Sequence, residues 1–354
     1  MSRIAALVTR SWYAPHPTAL TTALRPLAWL FGRIVRLRRF AYRQRWLQCV
    51  RLPVPVVVVG NITAGGAGKT PLVAALVDGL RARGFRPGIV SRGYGRNGRA
   101  PRGVRATDDA RDTGDEPLIL AESGAPVWVG SDRAAAAQSL LATHLDVDVI
   151  VADDGLQHYA LARDVEIAVI DGERALGNRL LLPAGPLREP ASRLATVDAV
   201  VRLVTGRSTG ESVAGEFSMS HEAQPWQNLV DPARAFDVSM LRDPATVAIA
   251  GIAHPERFFA ALIAQGFAGC TQAFPDHHRY SLRDVTFAGA PAVLMTQKDA
   301  VKCREFADAR MWMLPIRAHV DPALVELVME KLDGWQVARD ARVSGHQGSA
   351  HPRS

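Results

Sequence analysis

The chain has 354 residues, of which 48% are hydrophobic, and a formal net charge of +7 at pH 7. This length allows two domains with real cores, and this hydrophobic content excludes a globally disordered chain. The three cysteines, at positions 49, 270 and 303, suit neither a disulfide framework nor a zinc site and favour a reducing compartment. Residues 1–10 hold too few apolar residues for a signal peptide, and no small-residue cleavage site follows them.

The positive charge is concentrated at the N-terminus. Residues 1–51 contain ten arginines and no lysine, aspartate or glutamate. This segment therefore carries +10 against +7 for the whole chain, which leaves −3 for the other residues. A basic protein whose charge lies at one end is expected to approach an anionic surface through that end.

The segment that begins at Pro26 predicts a basic amphipathic helix, with the proline in its first turn. Its apolar face consists of Leu27, Leu30, Phe31, Ile34, Leu37 and Ala41. The other side carries Arg33, Arg36, Arg39 and Arg43. The apolar run is too short for a membrane span, which needs about 20 residues. Two interpretations remain: a helix in the membrane interface, which we favour, and a helix packed on the protein body with solvated arginines. The apolar face argues against nucleic acid as the partner.

The next segment predicts a phosphate-binding loop. An apolar run ends at Gly60, a glycine-rich turn follows, and Gly68-Lys69-Thr70 begins a helical pattern. In this order, backbone N–H groups close on phosphate oxygens, the lysine reaches the outer phosphates, and the threonine hydroxyl is placed to ligate Mg²⁺. The alternative is an ordinary glycine-rich turn that carries a lysine. The predicted nucleotide-binding residues are Thr63, Ala64, Gly65, Gly66, Ala67, Gly68, Lys69, Thr70 and Pro71.

This loop departs from the G-x-x-x-x-G-K-[ST] pattern at one position. The first glycine of the pattern falls at Thr63. We therefore expect the loop to turn at Gly60, Gly65 and Gly66 instead.

Strands and helices alternate from residue 54 to about residue 203. Apolar runs of this kind, separated by helices, predict a mostly parallel sheet covered on both faces. The predicted strands are 55–59, 88–91, 127–130, 147–152 and 165–170, and the predicted helices are 70–83 and 132–144.

Asp153 and Asp154 follow an apolar strand, at the end where open α/β sheets bind ligands. In P-loop proteins an aspartate at this place holds Mg²⁺ or its water. Capping or solvated acids are the alternative for these two residues. Gln157 and His158 follow within one turn and are expected to face the same phosphates.

Three further motifs are less specific. In Gly114-Asp115-Glu116-Pro117 the residues alone favour a simple helix cap for Asp115. The pair His277-His278 is compatible with a metal fragment, a general base or ordinary surface histidines, and the last is favoured. Thr296-Gln-Lys298-Asp299 lies where GTPases carry [NT]-K-x-D, but its lysine is displaced by one residue, which favours ATP over GTP.

The rest of the chain predicts a second α/β unit and a tail. We divide the chain into a basic amphipathic, membrane-associating N-terminal segment (1–51), a P-loop lobe (52–205), a linker (206–240), a smaller α/β lobe (241–335) and a disordered tail (336–354). The smaller lobe holds predicted strands at 245–250 and 292–295, and predicted helices at 255–265 and 322–332.

Seven sequence blocks together resemble the tetraacyldisaccharide 4'-kinases, the lipid A 4'-kinases of Gram-negative bacteria. The blocks occur in the family's order across roughly residues 20 to 330. They are Gly60-Asn61 with Gly65-Gly66-Ala-Gly68-Lys69-Thr70-Pro71, Ser91-Arg92-Gly93-Tyr94-Gly95-Arg96, Gly114-Asp115-Glu116-Pro117, Asp153-Asp154-Gly155-Leu-Gln157-His158, Pro183-Ala-Gly185-Pro-Leu-Arg188-Glu189-Pro190, Asp276-His277-His278 and Thr296-x-Lys298-Asp299.

The resemblance implies transfer of the ATP γ-phosphate to the 4'-hydroxyl of a tetraacylated glucosamine disaccharide 1-phosphate, in lipid A and lipopolysaccharide biosynthesis. It implies a P-loop NTPase-type α/β/α core, a second smaller α/β lobe joined by a β-hairpin linker, and an N-terminal amphipathic helix that dips into the bilayer. The place of reaction would be the cytoplasmic face of the inner membrane. The partners would be the lipid substrate and an anionic membrane surface, with no nucleic acid and no obligate protein partner.

The resemblance also changes the interpretation of individual residues. It makes Asp115 the general base toward the 4'-hydroxyl and His277 its partner from the other lobe. Lys69 and Mg²⁺ would neutralise the ATP phosphates. The implied metal residues are Thr70, Glu116, Asp153 and Asp154, and the implied substrate or phosphate contacts are Arg92, Gln157, His158, Arg188 and Glu189.

Two rival functions remain at this stage. One is a P-loop GTPase or metallochaperone-like switch, which binds nucleotide to change conformation. The other is a peripheral membrane-binding module with a vestigial nucleotide site. The displaced Lys298 and the basic helix argue against the switch, and loss of ATP binding in Lys69→Ala would argue against the vestigial site.

Overall fold

The computed structural model describes residues 3–204 and 216–347, with side chains described over 7–204 and 216–337. Two lobes contain all of the sheet structure in these ranges. The helices are α1 Arg3–Trp12, α2 Ala19–Arg43, α3 Lys69–Ala82, α4 Ala110–Thr113, α5 Asp115–Ala121, α6 Arg133–Thr143, α7 Pro255–Ala264, α8 Leu282–Val285, α9 Gln297–Cys303 and α10 Pro322–Gln347. The strands are β1 Val56–Gly60, β2 Pro87–Ser91, β3 Arg102–Val104, β4 Val127–Val129, β5 Val149–Asp153, β6 Val165–Asp171, β7 Ala199–Leu203, β8 Glu216–Ala223, β9 Gln227–Asn228, β10 Val247–Ala250, β11 Cys270–Ala273, β12 Val293–Thr296, β13 Met311–Leu314 and β14 Ile316–Val320.

The first lobe is a nine-stranded sheet in the order β14-β8-β7-β6-β1-β5-β2-β4-β3. The strands from β8 through β4 in this order pair in parallel, and antiparallel strands lie only at the two edges. The central strands β1 and β5 are buried along their whole length, because helices cover both faces. α3 and α10 pack on one face and α6 on the other, which confirms the predicted α/β/α core.

The parallel arrangement brings the carboxyl ends of β1, β2, β5 and β6 to one edge of the sheet. The residues at this edge are Gly60, Ser91, Asp153 and Asp171. An open α/β sheet binds its ligands outside this edge, so the candidate site is expected here.

The second lobe is a five-stranded sheet in the order β11-β10-β12-β13-β9. Its strands are parallel except for β9, which pairs antiparallel with β13. The chain enters this lobe through β8 and returns through β14, and these two strands form an antiparallel pair. This pair is the connection between the lobes that the resemblance implied as a hairpin.

The predicted boundaries of the smaller lobe, 241–335, were wrong at both ends. Residues 227–228 already form β9 of the second sheet, within the predicted linker. At the other end, α10 packs on the first lobe, where its Leu324, Val328 and Leu332 are buried with the core of the nine-stranded sheet. The physical reason is that β14 has already returned the chain to the first sheet, so the apolar side of α10 is covered by α3. Residues 205–215 of the linker region lie outside the described residues.

The prediction of a disordered tail at 336–354 was also wrong for most of its length. α10 continues to Gln347. Its C-terminal part contains alanine and arginine, which have good helix propensity, and no proline occurs between Pro322 and Pro352. Residues 348–354 lie outside the described residues.

The N-terminal helix α2 starts earlier than the sequence indicates. Thr18 is its N-cap, and the side-chain oxygen of this residue accepts a hydrogen bond of 3.1 Å from the Thr21 amide. Pro26 therefore lies inside the helix and not in its first turn, and the capping side chain explains why the helix begins seven residues before it. None of the described helices is long and apolar enough to cross a membrane.

The apolar face of α2 points away from the protein. Small residues of the helix, Ala28 and Gly32, are buried, and a Cβ atom at Gly32 would lie only 2.6 Å from Leu181 Cδ1. Leu27, Leu30, Ile34 and Leu37 on the predicted apolar face each expose between 51% and 64% of their surface. The helix thus packs through a small-residue strip and leaves its large apolar side chains uncovered by the described chain.

Candidate active site

The loop between β1 and α3 makes two left-handed turns, at Gly65 (φ 108°) and Gly68 (φ 79°). These are conformations that glycine adopts without steric cost. Of the three glycines predicted to turn the loop, Gly65 turns it and Gly66 lies in it without a positive φ. The prediction for Gly60 was wrong. Gly60 is the last residue of β1, and glycine is required there because a Cβ atom would lie 2.8 Å from Leu156 Cγ.

The loop ends at the N-terminus of α3, which has no side-chain cap. Gly68 is the N-cap of α3 and provides no side-chain hydrogen bond to the first turn. The first N–H groups of this 14-residue helix are therefore free of a side-chain cap. Such a terminus, with the positive end of the helix dipole, favours phosphate.

Lys69 and Arg188 converge on Asp154. Lys69 Nζ lies 3.5 Å from Asp154 Oδ1 and 3.4 Å from Asn61 Oδ1. The Arg188 guanidinium lies 3.4 Å from both oxygens of the same aspartate and 3.5 Å from Gln157 Oε1. Four predicted residues, Lys69, Asp154, Gln157 and Arg188, are thus brought together.

The pKa values of the two aspartates at the end of β5, Asp153 and Asp154, are shifted in opposite directions. Burial would raise the pKa of Asp154, but Lys69 and Arg188 outweigh it and hold this pKa below the ordinary value. Asp153 is fully buried, and burial together with the charges of Glu116 and Asp154 raises its pKa to about 7. One oxygen of Asp153 accepts a hydrogen bond of 3.2 Å from the Ser91 hydroxyl, while Oδ1 has no hydrogen-bond partner among the described residues.

Three carboxylates, those of Asp153, Asp154 and Glu116, lie close enough for their negative charges to interact. A buried carboxylate oxygen without a partner, next to two further acids, is a position where positive charge is missing. Among the described residues no group of three or more His, Cys, Asp or Glu side chains could hold a metal ion. Mg²⁺ in phosphoryl-transfer sites takes only one or two carboxylates and completes its shell with phosphate oxygens and water, so such a group is not required.

Asp115 and His277 meet across the two lobes. His277 Nδ1 lies 2.9 Å from Asp115 Oδ2, and Asp115 Oδ1 accepts a 2.9 Å hydrogen bond from the Glu116 amide. Asp115 is 5% exposed. Burial would raise its pKa, but the hydrogen bond from His277 and the charge of Lys298 lower it to about 2. The carboxylate is therefore ionised throughout the physiological range.

His277 is held in an unusual backbone conformation. Its φ is 57°, in the left-handed region that non-glycine residues rarely adopt. The imidazole ring packs against Tyr94 of the first lobe, with ring centroids 4.7 Å apart. Backbone strain of this kind persists where surrounding contacts fix it, and it is frequent at active sites.

Lys298 completes this cluster and was not among the predicted site residues. Its Nζ lies 3.2 Å from Glu116 Oε1, 3.5 Å from Asp276 Oδ1 and 3.8 Å from Asp115 Oδ2. His277 Nε2 is 3.5 Å away. Burial would lower the pKa of Lys298, but these carboxylates raise it above its usual range, so the side chain stays cationic. The sequence contained the signal, because Lys298 lies in a motif that matched the family, but no role followed from the motif.

Two other residues of that motif, Thr296 and Asp299, form hydrogen bonds within the second lobe. Asp299 is fully buried, and its Oδ2 accepts hydrogen bonds from the Thr296 hydroxyl (2.7 Å) and the Gly251 amide (3.1 Å). Lys302 lies 2.9 Å from Asp299 Oδ1. An aspartate engaged in this way is not free to read a guanine base.

Two predicted substrate residues are placed elsewhere. His158 Nε2 accepts the Arg133 amide at the start of α6 (3.3 Å), and burial with the charge of Arg133 lowers its pKa to about 4. Glu189 is buried to 99%, where it accepts the Tyr159 hydroxyl (2.8 Å) and pairs with Arg193 (3.2 Å). In this structure each of these two side chains contacts another part of the first lobe. Their roles as substrate contacts stay predictions.

Arg92 lies at the same edge of the sheet as the candidate site. It follows the last residue of β2 and is exposed. Its charge contributes to lowering the pKa of Arg133, after the larger effect of burial, so the two guanidinium groups are near each other.

Charged contacts also join the lobes around the cleft. Arg257 of α7 makes a two-pronged contact with Asp171 at the end of β6, with distances of 2.7 and 2.9 Å. Arg304 pairs with Glu122, and Arg111 lies 2.7 Å from Glu305. The Asp115–His277 contact therefore belongs to a wider set of contacts between the two lobes.

Comparisons with known proteins agree with the resemblance found in the sequence. The family model for tetraacyldisaccharide-1-phosphate 4'-kinase (LpxK) matches residues 20–333. A relative from Dechloromonas aromatica, named tetraacyldisaccharide 4'-kinase, is 49% identical and aligns over 89% of this chain and 93% of its own. Relatives of the same name from Alkalilimnicola ehrlichii (50%; 89% and 93%) and from Azoarcus sp. (49%; 91% and 94%) are similar over as much of their length.

A solved structure has the same fold. The crystal structure of LpxK from Aquifex aeolicus in complex with ATP is 29% identical, with a TM-score of 0.75. The match covers 88% of this chain and 99% of that one. The fold class predicted from the sequence is thereby confirmed.

Proposed function

We propose the following function for this chain, which belongs to the tetraacyldisaccharide 4'-kinase family: it transfers the γ-phosphoryl group of ATP to the 4'-hydroxyl of a tetraacylated glucosamine disaccharide 1-phosphate. The chain is an ATP-dependent kinase, a transferase of lipid A biosynthesis. The switch function that remained open in the sequence is not favoured, because Asp299 is buried in the second lobe.

The observation that carries the proposed site roles is the contact of 2.9 Å between Asp115 and His277. It joins a residue of the lobe that bears the phosphate-binding loop to a residue of the other lobe. A group that needs both lobes is suited to receive an acceptor substrate between them. The loop and the pair are linked through Glu116, which is adjacent to Asp115 and whose charge acts on Asp153.

On the phosphate side, the chain supplies positive charge and oriented N–H groups. The N-terminus of α3 and Lys69 would hold the β- and γ-phosphates. Arg188 would lie near these phosphates, since it and Lys69 contact the same residue, Asp154. Mg²⁺ would be held by Thr70, with Asp153, Asp154 or Glu116, and would supply charge neutralisation of the phosphate oxygens. When ATP binds, Lys69 exchanges its contact with Asp154 for phosphate oxygens.

On the acceptor side, Asp115 would orient the 4'-hydroxyl and accept its proton. As the hydroxyl oxygen bonds to the γ-phosphorus, the bond from this phosphorus to the β–γ bridging oxygen breaks and ADP leaves. The transition state of phosphoryl transfer is loose, so positioning contributes more than early proton removal. An aspartate with a pKa of about 2 is a weak base but is always ionised and ready to orient the hydroxyl. His277 donates a hydrogen bond from Nδ1–H to the carboxylate of Asp115, and its Nε2 lies 3.5 Å from Lys298 Nζ.

The membrane part of the proposal depends on α2. Its uncovered apolar face and the arginines beside it suit a helix that lies in the membrane interface. We place the enzyme at the cytoplasmic face of the inner membrane, where this face would meet anionic lipid. Burial of four aliphatic side chains such as Leu27, Leu30, Ile34 and Leu37 would stabilise binding by several kcal/mol at about 25 cal/mol per Å² of apolar surface.

The proposed reaction is tested with γ-labelled ATP, Mg²⁺ and the tetraacyldisaccharide 1-phosphate in a neutral detergent. We expect label at the 4' position, and no transfer when Mg²⁺ is removed by a chelator. An enzyme that binds ATP but leaves the lipid unlabelled would contradict the function. The role of Asp115 is tested with the variant Asp115→Ala. Its control is Asp112→Ala, because the side chain of Asp112 is exposed in the same segment and pairs with Arg102 on the surface.

A further inference from the structure

The molecule contains a second cationic site, far from the phosphate-binding loop. A cavity of about 330 Å³ opens at the C-terminal end of α2, between this helix and the first lobe. We call it the arginine pocket. Its lining residues are Arg39, Tyr42, Arg43, Cys49, Arg51, Tyr159, Leu161, Ala162, Arg163, Glu166, Arg193 and Thr196.

The pocket lies at the opposite edge of the sheet from the active site. Glu166 is the second residue of β6, while Asp171 at the other end of this strand borders the cleft. At about 3.3 Å per residue, the two positions are roughly 17 Å apart. The pocket is therefore separate from the phosphoryl-transfer centre.

The aromatic ring of Tyr159 contacts arginines from two parts of the chain. The guanidinium carbons of Arg38, Arg39 and Arg163 lie 5.9, 5.9 and 5.0 Å from its centroid. Tyr42 packs beside it, with ring centroids 5.8 Å apart. Cation–π contacts hold these side chains in place without neutralising their charge.

The arginines at the floor of the pocket are paired with carboxylates of the described residues, whereas the arginines at its rim are not. Arg163 and Arg193 both pair with Glu166, and Arg51 lies 2.9 Å from Asp164. For Arg39 and Arg43, no carboxylate of the described residues lies within 4 Å. The C-terminal end of α2 offers about half a negative charge, which is less than the two positive charges of this rim.

We propose that the arginine pocket binds the phosphodiester headgroup of an anionic phospholipid. The pocket adjoins the helix whose apolar face is uncovered, so a lipid could place its headgroup among the arginines while its chains lie beside α2. Arginine suits this task because its planar guanidinium donates two parallel hydrogen bonds to phosphate oxygens. The inference goes beyond the kinase reaction and rests only on the membrane association proposed above.

The test compares two double variants that remove the same charge from the same helix. Arg39→Gln with Arg43→Gln alters the pocket rim. Arg25→Gln with Arg33→Gln is the matched control, since these arginines are exposed and do not line the pocket. Binding is measured by co-sedimentation with vesicles of phosphatidylglycerol and phosphatidylcholine, and with vesicles of phosphatidylcholine alone.

Diffuse attraction to an anionic surface is worth about fivefold in affinity per arginine, so both variants should weaken binding to the mixed vesicles. The proposal expects the pocket variant to lose at least about tenfold more than the control on these vesicles. It expects the two variants to bind equally to phosphatidylcholine alone. Equal losses on the mixed vesicles would overturn the proposal, because they would assign the effect to the general field of the helix.

A second arm separates the pocket from membrane association as such. Short-chain dihexanoyl phosphatidylglycerol, kept below its micelle concentration, is titrated into the full chain by calorimetry. Saturable binding that is lost in Arg39→Gln with Arg43→Gln but kept in the control supports the pocket, even if vesicles bind poorly. Inorganic phosphate that binds the pocket as tightly as the lipid would overturn the assignment to a lipid headgroup, as would the absence of lipid binding.

Discussion

The two sides of the active site are built in different ways. The phosphate side, which comprises Lys69, Thr70, Asp154 and Arg188, comes from the first lobe alone. The acceptor side, which comprises Asp115, His277 and Lys298, is assembled from both lobes. From this difference we expect nucleotide binding to need one lobe, whereas we expect phosphoryl transfer to a second substrate to need both lobes held together. The first three predictions each disturb one side and compare the effect on kcat with the effect on ATP affinity.

The largest effect is expected for Asp115→Ala. Loss of the orienting carboxylate should lower kcat for lipid phosphorylation by about 10²–10⁴, the usual contribution of a general base. ATP affinity should change little, because the phosphate side does not contain this residue. The measurement is kcat with the lipid substrate, together with equilibrium binding of a nucleotide analogue. Near-normal turnover would remove Asp115 from the catalytic role.

Lys69→Met should break the phosphate side. Removing one preorganised positive group from a phosphoryl-transfer site costs about 10²–10³ in rate. ATP affinity should fall as well, which distinguishes this variant from Asp115→Ala. Arg81→Met near the other end of α3 removes an exposed charge and serves as the control. Unchanged ATP binding in Lys69→Met would contradict the assignment of the loop.

Lys298→Met should show how strongly the acceptor side depends on the second lobe. Without this cation, three carboxylates, Asp115, Glu116 and Asp276, lose their shared partner. We expect kcat to fall about 10- to 100-fold through displacement of the Asp115–His277 pair, with little change in ATP affinity. Lys298→Arg should restore part of the activity. Equal loss of kcat in both variants, with thermal stability unchanged, would contradict a positioning role for the charge.

The smallest effect concerns the pH dependence of stability. The pKa of Asp115 is about 2 in the folded chain and about 3.8 when it is unperturbed. Because the folded pKa is the lower one, the ionised carboxylate stabilises the fold above about pH 4, and this contribution disappears as the pH falls toward 2. It is worth about 2 kcal/mol. The free energy of unfolding of Asp115→Asn should therefore approach that of the unmutated chain as the pH falls from 5 to 2. A constant difference between the two proteins would show that the pair contributes no such linkage.

Sequence patterns were sufficient for the local elements. The predicted helix at 70–83 is α3 at Lys69–Ala82, and the predicted helix at 255–265 is α7 at Pro255–Ala264. Periodicity located these helices because one face of each is buried in a core. The helix α1 was not predicted. The end of the second lobe was also not predicted, because strand pairing between β8 and β14, distant in sequence, decides where the chain returns.

The helical spacing of apolar residues occurs in both α2 and α3, but the apolar faces of these helices have different environments. The apolar residues of α3, such as Leu72 and Leu76, are fully buried, whereas Leu30 and Ile34 of α2 are more than half exposed. Both helices are amphipathic, so periodicity cannot say which environment the apolar face meets. The packing of Gly32 against Leu181 decided the orientation of α2, because only a small residue permits that approach.

By itself, the sequence determined the nucleotide half of this protein. The order of strand, glycine-rich turn and Gly-Lys-Thr is local, so the phosphate-binding loop and the helix N-terminus follow from consecutive residues. Only the tertiary structure decided the other half, because Asp115 and His277 are 162 residues apart and meet where two lobes close. It also gave Lys298 its place between three carboxylates, and it gave His158 and Glu189 their partners, the Arg133 amide and the Tyr159 hydroxyl. Burial selects the partner of each charged side chain, and burial is a property of the folded chain.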